Sequence, residues 1–458
     1  MSSAGISFGG LSSGLDTKAI ISALVAVERR PITAMQRTLD GYSRQKELFG
    51  DLSDLLDTLR DKANALKTTT DFLVMQAASS DEDVLTASAT NSASAGSYQV
   101  EVVSLATAKI VAAGVDNRAE PMGTNTLLIT RGSTTDAVDF GNGTYDGTID
   151  GIAAAINAGD YGVTAEVVDT GQTTGRYQLI LRADETGAAG DFSVALDSPG
   201  NSALNTLVST LQTNVLSPAA DAHIKFNGVD VYRSSNSVTD LIGGVTLQLK
   251  SQTAANTPVT VTVSPDASAT ADKVREFVDA YNAVVDFIQT QFAVDSKGEA
   301  SSPLFGDATL RSIRSTLRSI VGSTVSTGNS AYSMFAQIGI TSDTAGKLTF
   351  AQSAFEEALV ADETAVASLF TDTANGIANR IYSQVDVYTD SVDGLIKART
   401  DGLTTKSKNT QARIDQAERR LEAYQARLEQ TYANLETLLS QLQSQGSSLG
   451  SFGNLQTR

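Results

Sequence analysis

A seven-residue repeat of large apolar side chains near the C-terminus is the strongest constraint in this sequence of 458 residues. The equivalent positions of the repeat are Ile414, Leu421, Leu428, Leu435 and Leu442. The positions three residues further on are less regular, namely Ala417, Tyr424, Thr431, Leu438 and Gln445. Two such rows predict a long helix with an a/d seam, sustained long enough to favour a coiled coil over an ordinary core helix. The pattern fits both a seam with a second chain and an intramolecular helix packed on the N-terminal helix.

A second long helical pattern lies near the other end of the chain. Residues 33–67 contain no proline and two glycines, and apolar side chains recur every three or four positions with an interruption at Gln45. This stripe comprises Met35, Leu39, Tyr42, Phe49, Leu52, Leu56, Leu59, Ala63 and Leu66. We expect Pro31 to start this helix and to separate it from a shorter amphipathic helix at 16–30, with Asp16 as its N-cap. The inward side chains expected in the shorter helix are Ile20, Ile21, Leu24 and Val27.

The middle of the chain has the alternation of apolar and polar residues that is typical of half-buried strands. The alternating apolar rows are Tyr98, Val100 and Val102, then Val245, Leu247 and Leu249, and then Val259, Val261 and Val263. The pair Asn227–Gly228 predicts a two-residue hairpin, because both central positions of such a turn need a positive φ. His223, the only histidine, opens this hairpin. We therefore interpret it as a strand-end residue rather than a catalyst.

A further β-rich unit is expected at residues 125–197, with a short helix at 149–158 and strands at 163–168 and 177–182. Pro121 and Pro218 flank it, and the Ser/Asn-rich sequence before Pro218 looks loose. The unit has the pattern of a domain inserted into the first β domain. After Pro265 the helical pattern returns, near 274–292, 307–321, 351–370 and 374–392, with a small hairpin within 338–350.

The composition excludes several classes of function. The net charge of -18 argues against sequence-independent nucleic-acid binding, which needs a basic face. The absence of cysteine excludes disulfides and thiolate chemistry, and a single histidine cannot build a multi-histidine metal site. No acidic pair is singled out by its setting. We therefore expect no enzymatic activity, no catalytic residue, no cofactor and no metal.

Charge and hydropathy also bear on where the chain acts. Residues 71–265 carry 8 basic and 21 acidic side chains, whereas residues 1–70 carry 9 and 8. An acidic middle fits a solvated surface, and balanced ends can pack against copies of themselves. No stretch is long and apolar enough for a membrane span, and the N-terminus lacks the features of a secretory signal. These observations predict either a cytoplasmic protein or export by a route that reads no cleaved signal.

Short motifs follow one another in a fixed order along nearly the whole chain. They begin with Gly10-Leu-Ser-Ser-Gly-Leu-Asp16, Ile20-Ile21 and Glu28-Arg-Arg-Pro31. They continue with Ile152, Ile156-Asn157, Val163, Tyr177-Gln-Leu179, Phe226-Asn-Gly228, Gly244-Val-Thr-Leu247, Pro303-Leu-Phe-Gly-Asp307, Ile338-Gly-Ile340, Gly346-Lys-Leu-Thr349, Ala365-Val366 and Leu369-Phe370. They close with Tyr424, Leu428, Tyr432, Leu435, Leu439, Gln445 and Ser448-Leu449. This ordered set resembles the flagellar hook-associated protein 2 family, the filament cap proteins.

The resemblance and the patterns together predict an α+β fold. Long terminal helices form a coiled-coil or helical stem, and two β-rich domains are inserted between them. The expected parts are an N-terminal flexible assembly segment at 1–32 and a helical stem at 33–77 and 266–403. The β-rich domain is expected at 78–115 and 217–265, the inserted β-rich domain at 116–216, and a C-terminal coiled-coil leg at 404–458. Coiled-coil and self-assembly contacts are expected at Ile414, Leu421, Tyr424, Leu428, Leu435, Leu438, Leu442, Met35, Leu39, Tyr42, Phe49, Leu52, Leu56 and Leu59.

The resemblance also implies a function. A homo-oligomeric ring at the distal tip of the bacterial flagellum would promote the ordered incorporation of flagellin subunits and prevent their loss. The chain would be exported unfolded by the flagellar type III apparatus, without a cleaved signal peptide, and would act extracellularly in motility. Implied partners are other copies of itself, flagellin and an export chaperone that binds the C-terminal helix, with neither nucleic acid nor membrane insertion. The alternatives are a tip adhesin that binds mucin or host glycans through the β domains, and another axial protein of the hook–filament junction.

Overall fold

The computed structural model describes residues 16–326 and 331–453, and side chains of the last helix up to residue 447. The chain divides into two compact units, one containing the residues up to Thr69 and from Ala271 onward, the other Thr70–Thr270. The helices are α1 (Thr17–Asn64), α2 (Thr69–Phe72), α3 (Ile149–Asn157), α4 (Ser202–Thr213), α5 (Ala267–Gln291), α6 (Ala308–Val321), α7 (Gln352–Ala361), α8 (Glu363–Thr371), α9 (Ile377–Thr389) and α10 (Leu395–Gly453).

The described strands lie between the long terminal helices in the chain, as the sequence predicts. They are β1 (Met75–Ser79), β2 (Leu85–Ala89), β3 (Gly96–Ser104), β4 (Ile110–Val115), β5 (Asn125–Arg131), β6 (Thr134–Phe140), β7 (Val163–Asp169), β8 (Tyr177–Ala183), β9 (Phe192–Leu196), β10 (Val215–Ser217), β11 (Ala222–Phe226), β12 (Val229–Arg233), β13 (Ser237–Ile242), β14 (Val245–Leu249), β15 (Val259–Pro265), β16 (Ile340–Ser342) and β17 (Leu348–Phe350). The predicted α+β class is confirmed.

The helical unit is built around the second half of α1. Apolar residues spaced by three and four positions form one buried stripe along the helix. Helices α5 to α9 supply the other buried side chains, and β16 and β17 form the expected small hairpin. The largest fully buried side chains of this unit include Phe49, Leu52, Leu56, Leu59, Phe277, Tyr281, Phe355 and Phe370.

The expected break at Pro31 does not occur. Helix α1 is continuous from Thr17, with Pro31 inside it and exposed to solvent. A proline inside a helix removes one backbone hydrogen bond and usually kinks the helix. Here the next residue, Ile32, is 3% exposed and packs against Ile414 and Leu421, so tertiary packing offsets that cost. Of the segment expected at 1–32, residues 17–32 are therefore helical, and residues 1–15 lie outside the described part.

The inward face expected before Pro31 is also wrong in part. Leu24 is 38% exposed and Val27 is 52% exposed. The face that packs on α10 instead includes Val25 and then Ile32. A helix that continues through Pro31 keeps one register of 3.6 residues per turn, and that register places Leu24 and Val27 to the side.

In the β-rich unit, the first core lies between two antiparallel sheets. One sheet has the strand order β1-β15-β3-β11-β12 and the other β13-β14-β2. Their inner side chains form one apolar cluster, which includes Val100, Val102, Ile224, Leu247 and Val261. The predicted hairpin is confirmed between β11 and β12, where Asn227 has φ 50° and Gly228 has φ 86°. His223 lies in β11, with Nε2 2.8 Å from Asp230 Oδ1 and its ring stacked on Tyr232.

A second core in the same unit lies between two other sheets and two helices. The sheets have the orders β10-β4-β8-β7 and β6-β5-β9. The side chains of α3 and α4 complete the cluster with Ile152, Ile156, Leu204, Leu207 and Leu211.

Two segments around this second core differ from the sequence expectation. Ile110–Val115, placed at the end of the first β domain, forms β4 and pairs with β8 of the second core, because Val111 and Ala113 face it. The sequence before Pro218 is not loose but contains α4, capped by Asn201, whose side chain accepts a 2.8 Å hydrogen bond from the Leu204 backbone N–H. The five-part domain division remains a prediction.

Candidate assembly surface

Helices α1 and α10 lie side by side and antiparallel in the helical unit. Arg399, near the start of α10, has its guanidinium 6.0 Å from the ring centre of Phe49 in the second half of α1. Further along, Ile32 contacts Ile414 and Leu421. The first turns of α1 lie beside residues 425–437 of α10. Within the chain, the heptad row of α10 therefore packs against α1, which is the intramolecular one of the two arrangements that the pattern allows.

The predicted assembly residues of α1 fall into two groups. Phe49, Leu52, Leu56 and Leu59 are 0–1% exposed and belong to the core of the helical unit. Met35 and Leu39 are half-buried and pack against the cluster formed by Ile32, Ile414 and Leu421. Tyr42 is half-buried between these groups. The interruption at Gln45 has a specific role, because its side-chain amide donates a 2.7 Å hydrogen bond to the Pro303 carbonyl.

The predicted residues of α10 lose burial steadily along the helix. Ile414 is 2% exposed and Leu421 6%, while Tyr424 and Leu428 are half-buried. Leu435, Leu438 and Leu442 are 41%, 58% and 55% exposed. The heptad pattern thus continues beyond the point where α1 covers it, and the last leucines of the seam face solvent in the single chain. Helix α10 itself runs from Leu395 to Gly453 and so begins before the leg expected at 404–458, while residues 454–458 lie outside the described part.

An open groove lies between the first turns of α1 and residues 425–437 of α10. We call these parts the outer halves of the two helices, and the parts around Phe49 and Arg399 the inner halves. The volume of the groove is about 1520 Å³, and both apolar and charged side chains line it. The α1 wall includes Ile21, Val25 and Arg29, and the α10 wall includes Tyr432 and Glu436. Two helices packed over their full length leave no such space, because side chains of one fill the gaps of the other. The outer halves are therefore less tightly paired than the inner halves.

An ion pair fixes the base of α10. The Arg399 guanidinium donates a 2.6 Å hydrogen bond to Asp307 Oδ2, and Asp307 also caps α6 by accepting from the backbone N–H groups of Thr309 and Leu310. Burial alone would raise the pKa of Asp307, but Arg399 and the two backbone donors together hold it below the ordinary carboxyl value. Asp307 could be read from sequence as an N-cap, whereas its distant partner Arg399 could not.

The side chains of this surface are of the kinds that pack and pair helices. Across the described ranges 16–326 and 331–453, no group of three or more His, Asp or Glu side chains could hold a metal ion. Within the same residues, none of the helices could cross a membrane. Leucine rows, an apolar groove and charge pairs between helices define a structural protein that acts by helix packing, with its β-rich modules inserted between its first and last helices.

Comparison with known proteins identifies the family. Residues 13–109 match the model for the flagellar hook-associated protein 2 N-terminus, and residues 219–444 match that for its C-terminus. The B-type flagellar hook-associated protein 2 of Pseudomonas aeruginosa is 32% identical over 441 residues, covering 91% of this chain and 90% of the relative. Flagellar hook-associated protein 2 of Escherichia coli is 28% identical over 421 residues, covering 88% of each chain. The chain belongs to the flagellar hook-associated protein 2 family.

A solved structure extends the likeness from sequence to fold. The crystal structure of the flagellar cap protein FliD, domains D1-D2-D3, from Escherichia coli matches with a TM-score of 0.63 at 28% identity. The match covers 78% of this chain and 99% of that chain. The family resemblance read from the ordered motifs is confirmed.

Proposed function

We propose that this chain is a filament cap protein of the bacterial flagellum. Copies of it form a ring at the distal filament tip, where they guide exported flagellin subunits into the lattice and prevent their loss. The likeness to the Escherichia coli cap protein, over 99% of that chain's length, is the observation that supports this proposal.

The structure of the leg gives this function a physical basis. A cap that moves forward as subunits insert needs contacts that break and re-form, and such contacts are weak individually. The outer half of the α1–α10 pair has the required character, because it is narrow, grooved and ends in exposed leucines. We infer that residues 17–45 and 408–453 form the leg and that the core around Leu52 and Leu56 anchors it.

The finer partner assignments are part of the same proposal. Leu435, Leu438 and Leu442 offer an apolar row that a partner helix can cover, since burying three leucines contributes about 1.5–3 kcal/mol each when complete. We assign this row to self-assembly in the ring and, before export, to the chaperone. The β-rich unit, with its acidic surface, stands as the solvated plate above the site of flagellin insertion.

Immunogold localisation on intact flagella tests the cap proposal. Label confined to distal tips, together with free flagellin in the medium of a deletion strain, is the expected result. Restoration of filaments by the full chain, and not by a chain truncated after residue 434, would support the role of the exposed leucines. Label along the shaft or at the hook junction would assign the protein to another axial position.

A further inference from the structure

Helix α6 has a face of arginines that lacks acidic partners. Arg311, Arg314 and Arg318 are three and four residues apart, which places them on one side of the helix. The opposite side is buried through Leu310, Ile313, Leu317, Ile320 and Val321. Arg311 and Arg318 are exposed, and Arg314 is half-buried. We call these three residues the arginine face.

The contacts of the arginine face orient its side chains without neutralising them. Arg311 donates a 2.5 Å hydrogen bond to the Gly306 carbonyl, and Arg314 lies 5.8 Å from the ring centre of Phe292. In the part of the chain that the structure describes, none of the three forms an ion pair. Three neighbouring uncompensated arginines stand out in a chain with 52 acidic and 34 basic residues.

The helical unit also carries a group of acidic side chains, opposite in charge to the arginine face. Helix α7 buries Phe355, Ala358 and Leu359. Glu357 is exposed, and Glu356 is half-buried and accepts a 2.6 Å hydrogen bond from the side-chain amide of Gln352. Glu363, which is half-buried, follows in the first turn of the next helix, α8. We call Glu356, Glu357 and Glu363 the glutamate face, and among the described residues none of them forms an ion pair either.

Each face adjoins an exposed apolar side chain. Phe305, just before α6, is 47% exposed, and Val360, in the turn of α7 after Glu356 and Glu357, is 80% exposed. An apolar centre with charges around it is the usual anatomy of a protein–protein contact. Opposite charges on the two sides of such a contact speed association and exclude wrong partners.

We propose that the arginine face of one copy docks on the glutamate face of the next copy, as a head-to-tail contact between neighbours in the ring. A ring built from identical chains by head-to-tail contacts needs two different, complementary surfaces on each chain, and these two faces meet that requirement. The inference rests on the proposed ring, and it specifies which surfaces join.

Site-directed cross-linking tests the contact directly, because the natural chain has no cysteine to interfere. Full-length Arg314→Cys is mixed with full-length Glu357→Cys and treated with a short bis-maleimide. A covalent heterodimer, formed in higher yield than from either variant alone, is expected. The matched control pairs Arg314→Cys with Lys297→Cys, an exposed position outside both faces. No heterodimer above that control overturns the proposal, and capture of flagellin instead on intact flagella would also overturn it.

Charge reversal provides a second test. Arg314→Glu with Arg318→Glu places like charges across the contact and should weaken self-association, measured by sedimentation velocity, by about tenfold or more. Adding Glu356→Arg and Glu357→Arg to the same chain reverses both faces and should restore association. Lys297→Glu with Arg182→Glu, at two exposed positions outside both faces, makes the same change in net charge and should have little effect. Failure of the fourfold variant to recover, with native circular dichroism, contradicts the pairing.

The outcomes separate this contact from the cap function. Distal-tip immunogold label and normal filaments, combined with no cross-link, would leave the cap proposal standing and remove the contact. A cross-link and its salt sensitivity, combined with label away from the tip, would keep the contact and remove the cap. Raising the salt from about 0.05 M to 0.5 M should weaken the wild-type association, since exposed charges are screened.

Discussion

The two halves of helix α1 carry apolar residues at the same spacing, yet they experience different surroundings. In the second half, Leu52, Leu56 and Leu59 are 0% exposed, with neighbours on several helices. In the first half, Ile32 is buried in a small cluster with Ile414 and Leu421 of α10, while Leu24 and Val27 remain exposed. Helix α10 shows the same contrast between Ile414, 2% exposed, and Leu442, 55% exposed.

The difference shows that periodicity specifies a face, not the number of partners that cover it. A helix inside a multi-helix core loses most of its apolar surface to neighbours, whereas a helix in a pair buries one narrow stripe. The first half of α1, which pairs with α10, is consequently the half that can open locally. The second half, which lies in the multi-helix core, resists opening.

Replacing one leucine by alanine in the core and one in the exposed row should give the largest difference in the free energy of unfolding. Leu56→Ala leaves a cavity in a fully buried site and should lower the free energy of unfolding by about 2–5 kcal/mol. Leu438→Ala, a change of the same size at a site 58% exposed, should change it by less than about 0.5 kcal/mol. Urea unfolding of both full-length variants measures the difference, and equal losses would contradict the contrast.

A smaller and more local effect is expected at the middle of the pair. Ile414→Ala removes one of three buried residues of a small cluster and should destabilise the leg by about 1–3 kcal/mol. Hydrogen exchange should speed up in residues 20–40 and 408–430 and remain unchanged around Leu56. Uniform acceleration throughout α1 would show that the two halves unfold as one.

The ion pair at the base of α10 should give the smallest effect and a defined pH dependence. The pKa of Asp307 is below its ordinary value in the folded chain, so its contribution is complete above the ordinary carboxyl pKa and is lost as the pH falls through the lowered value. Asp307→Asn keeps a good N-cap but removes the charge. At neutral pH it should cost about 1 kcal/mol, a modest figure because Arg399 is 48% exposed.

Titration of the unfolding midpoint for both proteins checks this linkage. The difference between wild type and Asp307→Asn should be constant between about pH 5 and 8, and should shrink in more acidic solution. An Arg399→Gln variant should lose the same stability at neutral pH, and its difference from wild type should also shrink in more acidic solution. A difference that grows toward acid would contradict a lowered pKa.

Local patterns predicted much of the fold. The Asn227–Gly228 turn is confirmed because only a few residue types accept a positive φ at two successive positions. The β7 and β8 strands and helix α3 are also confirmed, since their apolar periodicity extends over whole elements. Helix α4 was missed because its polar Ser and Asn residues obscured a buried row that includes Leu204 and Leu211.

Features that depend on contacts between distant residues could not be predicted from the sequence. The continuity of α1 through Pro31 depends on the packing of Ile32 against α10, which overrides the local preference of proline. The pairing of Arg399 with Asp307 joins residues that are far apart in the chain. The open groove beside Ile21 and Tyr432 likewise exists only when two helices meet.

The sequence by itself determined the family, the α+β class, the helical ends and the face that the second half of α1 would bury. These properties follow from the period of apolar residues and from an ordered set of motifs, both of which are local in the chain. Only the tertiary structure decided how deeply each leucine is buried and which charges meet, because burial and ion pairing depend on what lies opposite. The exposed row from Leu435 to Leu442 and the unpaired arginine face became visible only in that way.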